Sequence, residues 1–279
     1  MLNIFSKLIP ARFRKKVPIV HVLRLEGAIA SGRSMRGGQL NLASLDAPLK
    51  KAFKKGISAV ALDINCPGGS PVQSALIADR IRALAAKNKI PVYAFCEDVA
   101  ASGGYWLACA ADEIYADQNS IVGSIGVIAG GFGFPKALAK LGVERRVHTA
   151  GESKSTNEPF KPESPKDVAK LKELLVEMHD SFKSWVRSRR GDKLNGKDKD
   201  LFNGSYWTGG KAKTLGLIDG IGHREAIMTA KFGEKVEFKS ISLSQGWGLR
   251  RFGLDLASRI PEATFDAVES RALWQRFGL

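Results

Sequence analysis

Only three of the 279 residues are cysteine, Cys66, Cys96 and Cys109. An odd, low count without framework spacing excludes a disulfide scaffold and points to free, buried thiols in a reducing compartment. Histidine is nearly as scarce. His21, His148, His179 and His223 lie far apart, no Cys/His cluster has ligand spacing, and no metal is expected. There is no G-x-x-x-x-G-K-S/T run and no G-x-G-x-x-G opening a helix after the first strand, so no nucleotide cofactor is expected either. In the N-terminal start the longest apolar stretch is far short of the roughly 7–15 residues of a signal-peptide core, and further below the roughly 20 of a spanning helix. Neither a transmembrane segment nor a secretion signal is therefore expected, and the expected location is cytoplasmic. Internal repeats and low-complexity tracts are also lacking.

What is present is an ordinary globular composition, 44% hydrophobic and 25% charged, long enough for one large domain or two small ones. The balance is strongly basic, 43 Lys plus Arg against 28 Asp plus Glu, a formal +15. The first acidic residue is Glu26, and Lys7, Arg12, Arg14, Lys15, Lys16 and Arg24 precede it. This basic, partly apolar start (residues 1–17) reads either as a solvated arm or as a peripheral contact with the anionic inner face of a membrane. The other basic residues are spread along the chain without an aromatic-interleaved patch, so nucleic acid is not an expected partner.

Pro18 to Leu25 is β-branched and apolar and reads as a first strand. A helix with Leu45, Leu49 and Phe53 on one face follows. Ile57 to Ile64 is a continuous apolar run suited to a buried parallel strand. A helix from Ser70 or Pro71 to about Lys87 and a strand from Pro91 to Cys96 complete an α/β unit with a right-handed crossover. After Cys96 the pattern predicts a turn, a small-residue helix over about 103–111, and strands at 113–116, 121–128 and 143–149. A short helix is expected at 135–141. A long amphipathic helix is expected from Ser164 to Arg190, its stripe (Leu171, Leu174, Leu175, Met178, Phe182, Trp185) reading as core or subunit contact. Residues 187–199 read as a solvated loop. Residues 18–232 form the expected main domain. The tail 233–279 carries a strand-like VEFKSISL and two amphipathic stretches suited to assembly or membrane-surface contact.

Two glycine pairs carry the chemical interest. Pro67-Gly68-Gly69 lies between a buried strand and a helix, where backbone amides can approach a ligand and developing negative charge is stabilised. By itself such a turn is more often steric than functional. In Ala101-Ser102-Gly103-Gly104, Ser102 sits where a turn enters a helix. That is the position of an exposed nucleophile and equally of a simple N-cap. A nucleophilic serine needs a base. His148 lies in a strand-like run without an orienting carboxylate and reads as structural. Lys154, in Gly151-Glu152-Ser153-Lys154-Ser155-Thr156, is flanked by hydroxyls that could orient it. To act as a base it must lose its proton near neutral pH, which means lowering an amine pKa of about 10.4 at a cost of roughly 4–5 kcal/mol. A loop lysine is otherwise solvated.

Taken in order, LDINCPGG, ASGGYW, VGSIGVI, GESKS and FNGSYWTGGKAKTLGLIDGIG resemble the S49 peptidases, the signal peptide peptidase A and SohB group, over residues 18 to about 232. The resemblance implies an α/β, ClpP/crotonase-like fold of repeated ββα units, with parallel strands and flanking helices. It further implies a serine endopeptidase with a Ser/Lys dyad, acting on extended peptides such as residual signal peptides. On this basis Ser102 is the expected nucleophile and Lys154 the general base, with Ser124 orienting the lysine. The amides of Gly69 (or Gly68) and Gly103 form the expected oxyanion hole. A homo-oligomeric ring is implied, in which the lysine of one copy can serve the serine of the next. Cys66 departs from the small hydroxyl residue many members carry before Pro-Gly-Gly, and the expected lack of an N-terminal anchor departs from typical members. A crotonase-like acyl-CoA enzyme is the alternative, with Glu97 and Glu113 the only nearby acids. A non-catalytic membrane-surface scaffold is the second.

Overall fold

The structure is a computed structural model that describes residues 17–32, 39–151, 153–243 and 271–279. The basic arm and the first of the two amphipathic tail stretches lie outside the described residues. Strand β1 (Ile19–Glu26) leads into a two-residue strand β2 (Ala28–Ile29), which pairs with β3 (Gln39–Leu40). Helix α1 (Leu42–Ala52) starts where the Asn41 side chain accepts from the Ser44 N–H, and it buries Leu45 and Leu49, the face anticipated from spacing. Strand β4 (Ala59–Cys66) is buried along its whole length. Helix α2 (Pro71–Asn88) has Pro71 at its first position and turns Ile77, Ile81 and Leu84 inward.

Strand β5 (Val92–Ala101) is longer than the sequence pattern suggests, with no turn after Cys96. Its first half pairs with β6 (Glu113–Ala116) and its last three residues with β7 (Ile121–Gly123). A second partner, supplied by residues 22 positions downstream, keeps the chain extended up to Ala101. Helix α3 (Gly103–Ala108) is correspondingly shorter than expected. The strand expected over 121–128 stops at Gly123, because Ser124 has a positive φ of 53° and its N–H donates to Ser205 O at 2.7 Å. Residues 143–149 are irregular and exposed; among the described residues no strand lies beside them to pair with.

Beyond helix α4 (Pro135–Lys140), α5 (Pro165–Arg190) runs as anticipated, but it buries only Phe182, Val186 and Arg190. Arg190 corrects the expectation of a solvated segment at 187–199. Its guanidinium donates twice to Gly216 O and once to Asp219, at 2.7–3.0 Å. Helix α6 (Asp198–Leu201), strand β8 (Tyr206–Thr208), helix α7 (Gly209–Thr214), strand β9 (Gly220–Ile221), helix α8 (Arg224–Phe232) and strand β10 (Glu237–Ser240) complete the order. The main sheet runs β10-β1-β4-β5-β6-β9, parallel throughout, with β7 beside the end of β5 and β8 antiparallel to β7. Residues 237–240 thus add an edge strand to the same sheet as residue 19. Cys66, Cys96 and Cys109 are buried and free, and burial pushes each thiol up to about 12.

One buried charge works against this fold. Asp63, in mid-β4, pairs through one oxygen with Arg224, while the other oxygen has no partner among the described residues. Burial outweighs the Arg224 attraction and raises the carboxyl from 3.8 to about 6. The folded-state value lies above the unfolded one, so protonation favours the folded form and stability falls as pH rises from about 4 to about 6. The loss is up to about 3 kcal/mol at 1.36 kcal/mol per pH unit. Asp63→Asn cannot titrate. Its melting temperature relative to the wild type is expected to climb between about pH 4 and pH 7.5, and a constant difference across that range would refute the assignment.

Candidate active site

The two glycine turns meet at the ends of β4 and β5. A Cβ on Gly69 would lie 2.0 Å from Ile29 O, one on Gly104 would lie 2.2 Å from Cys66 O, and one on Gly68 would lie 2.8 Å from Ser102 Cβ. Backbone therefore packs on backbone here, and only glycine permits the approach. Ile29 stitches the first turn in place: its N–H donates to Gly68 O and its carbonyl accepts from Ser70 N–H, both at 2.8 Å. Beneath it, Asn65 donates to Asp98 at 2.8 Å and accepts from the Val99 N–H at 3.2 Å.

Ser102 sits at φ 52°, ψ −121°, a backbone conformation costly for a side-chain-bearing residue. It occupies the N-cap position of α3, yet its hydroxyl makes no capping bond. The strain is held by the Ser102 N–H donating to Gly123 O at 2.8 Å and by its carbonyl accepting from Trp106 N–H at 3.0 Å. The hydroxyl is thereby left for the cleft. Ser124 is buried and follows Gly123 directly, so the same 2.8 Å bond that holds Ser102 sets the position of Ser124.

Ser102, Ser124, Gly69 and Gly103 share one cleft of about 420 Å³. Gly68 does not line it. Of the two glycines considered for the oxyanion role, Gly69 is the one that faces the cleft. Gly103 lies in the first turn of α3, where N–H groups have no helical acceptor. Trp106, Ile128, Met178 and Phe182 supply apolar walls. Phe182 of α5 stacks on Trp106 at 4.7 Å, and Trp185 Nε1 donates to Trp106 O at 3.0 Å. His179 Nε2 lies 3.1 Å from Ile125 O, bracing the chain just after Ser124. None of these wall residues was singled out from sequence as a site residue. For Met178 and Phe182 the signal was the amphipathic stripe of the long helix, whose cleft-facing turn looks like core until α3 is placed beneath it.

Lys154 is elsewhere in the chain's own structure. It is exposed, in a turn closed by its N–H to Gly151 O at 3.2 Å, and it does not line the cleft. The flanking Ser155 is not free to orient it: its hydroxyl donates to Glu158 at 3.1 Å and accepts from Lys161 at 2.9 Å. Residues 128–163 hold together through their own contacts, with Phe134 on Phe160 and the Phe134 N–H on Pro159 O. They nevertheless expose Phe132 (82%), Leu141 (75%) and Ile128 (67%). Glu97 pairs with Arg24 and lines a separate polar cleft, and Glu113 pairs with Lys231. Neither acid of the acyl-CoA alternative reaches Ser102's cleft.

A mostly parallel sheet, two interlocked glycine turns and a serine on a strained strand-to-helix turn define an α/β protein of ClpP-like fold. Residues 84–237 match the model of peptidase family S49. The chain belongs to that family. It is 32% identical over 234 residues to a putative protease of Synechocystis, covering 82% of this chain and 79% of that protein. It is 46% identical over 289 residues to a protein of Brucella melitensis named Na(+)/H(+) antiporter NhaA, covering 99% of this chain. The chain spans only 39% of the length of that relative, and no described helix is long and apolar enough to cross a membrane. Among solved structures, a membrane-bound stomatin-specific protease superimposes with a TM-score of 0.53 at 16% identity, over 82% of this chain and all of that one.

The glycine interlock makes a direct prediction. Gly104→Ala places a methyl group against the Cys66 carbonyl and should cost about 1–3 kcal/mol of stability, read as a lower denaturation midpoint. An unchanged midpoint would show that the two turns can separate without cost.

Proposed function

We propose that this chain is a serine endopeptidase in which Ser102 is the nucleophile, Lys154 the general base and the Gly69 and Gly103 amides the oxyanion hole. The observation that carries this reading is the Ser102 turn: a strained serine, uncommitted to capping, facing a cleft beside two glycine amides and Ser124. Family membership supports the same chemistry. The neutral Lys154 amine takes the Ser102 proton as Oγ attacks the scissile carbonyl. The resulting oxyanion is held by the two amides, each donor worth about 3 kcal/mol of transition-state stabilisation. As the C–N bond breaks, the lysine returns the proton to the departing amine. A water deprotonated by the same lysine then attacks the acyl ester, releasing the acid and restoring Ser102.

Lys154 stands on an exposed, apolar-surfaced arm, away from its own Ser102 cleft. We therefore read the working enzyme as a homo-oligomeric ring in which the arm of one copy carries Lys154 to the next. Within such a ring Ser124 would orient the incoming ammonium or amine. The substrates on this reading are extended peptides with apolar side chains, suited to walls made by Trp106, Met178 and Phe182. Residual signal peptides fit that description, and a relative from Enterococcus faecium, 33% identical over 65% of this chain and 52% of its own length, is named a putative signal peptide peptidase.

A fluorophosphonate probe should label the wild type, and Ser102→Ala should abolish both labelling and peptide cleavage. Lys154→Ala is expected to lower kcat by about 10²–10⁴-fold; full activity in either variant would defeat the assignment. Mixing Ser102→Ala with Lys154→Ala protein should restore a fraction of the activity in mixed assemblies. If verified mixed assemblies stay inactive, the lysine serves its own chain.

A further inference from the structure

The Ser102 cleft has a wall for which the peptidase chemistry has no use. Residues 271–275 are helical and continue as a turn to Gly278. Phe277, only 8% exposed, packs with Val99 and Ala101, and Trp274 and Ile121 close over the same cluster. Tyr206 of β8 meets the Phe277 ring edge-on at 5.1 Å, and its hydroxyl reaches Arg276 O at 3.4 Å. This segment is thus anchored to the end of β5, one residue before Ser102. From that anchorage Leu273 and Arg276 line the cleft.

The charge of the lining is one-sided. No Asp or Glu is among the described residues that line the cleft, and Arg276 is its one permanently charged side chain. No ion pair joins Arg276 to a carboxylate among the described residues. Its guanidinium lies 5.7 Å from the Phe277 ring centroid, a contact that steadies the side chain without using its in-plane donors. An arginine whose donors meet no carboxylate among the described residues, beside apolar walls and a lining without described acids, is built to receive a carboxylate.

We propose that Arg276 is a specificity residue that binds a carboxylate of the peptide substrate, so that the cleft selects apolar peptides carrying an acidic group close to the scissile bond. This rests on the serine peptidase reading of the same cleft. The carboxylate can be an Asp or Glu side chain or the free C-terminus of the peptide, and the chemistry of recognition is shared. Because Arg276 is exposed at the rim, the preference is modest and salt-sensitive.

The test compares fluorogenic apolar peptides in matched pairs: Glu against Gln, scanned through the three positions on either side of the scissile bond, and free acid against amide at a nearby C-terminus. The wild type should prefer the acid member at one position by about fivefold in kcat/KM at low salt, less at 0.5 M salt. Arg276→Gln should bring that ratio to about one, and Arg276→Glu should reverse it in favour of Lys at the same position. Which pair responds identifies the source of the carboxylate. A wild-type ratio of one throughout, or a preference that survives in Arg276→Gln, overturns the proposal while leaving the peptidase reading intact. Binding of the same peptides to Ser102→Ala, read by fluorescence anisotropy, gives the converse. Acid discrimination there, with no cleavage by the wild type, would sustain Arg276's role and defeat the peptidase reading alone.

Discussion

Backbone-to-backbone contact between two strand-to-helix turns is the constraint on which the rest of this site depends. Gly69 rests on the carbonyl of Ile29, Gly104 on that of Cys66, and Gly68 on the Cβ of Ser102. With these contacts closed, the ends of β4 and β5 lie near enough for the Gly69 amide and the first turn of α3 to border one cleft. Ser102 can then hold a φ of 52°, because β7 takes its N–H and α3 takes its carbonyl. The local strain is set against two neighbouring elements, and the hydroxyl is left uncommitted as a consequence.

The elements around this interlock divide into those that make it rigid and those that leave it incomplete. Helix α5 clamps α3 through Trp106, Phe182 and Trp185, and its own end is fixed by buried Arg190 on Gly216 and Asp219. Segment 271–279 clamps the opposite side through Phe277. By contrast, residues 128–163 fold on themselves and turn phenylalanine, leucine and isoleucine side chains to solvent. A surface of that kind on the segment bearing Lys154 is why the proposed enzyme is an assembly and not a single copy.

Much of the frame was legible in residue order. The continuous apolar run of β4, the Pro-led start of α2 and the stripe of α5 each follow from local chemistry, so their positions matched to within a few residues. Failures occurred where a partner distant in sequence decided the outcome. β5 extends to Ala101 because β7 pairs with it, and 121–128 breaks at Ser124 because Ser205 captures its amide. Residues 143–149 have strand-like composition but no strand beside them among the described residues, and composition alone does not supply hydrogen-bond partners.

For the site, glycine doublets and a serine at a helix entrance were visible in the sequence, and with them the family, because steric permission and exposure are properties of single residues in order. Which glycine of the first pair lines the cleft, whether Ser102 spends its hydroxyl on a cap, and where Lys154 stands relative to it were settled only in three dimensions. So was the arrival of Arg276, 174 residues downstream of Ser102, at the rim of the same cleft. Residue order determines the local chemistry available to this protein. Tertiary structure decides which of those groups face one another, because close approach depends on packing between segments that are remote along the chain.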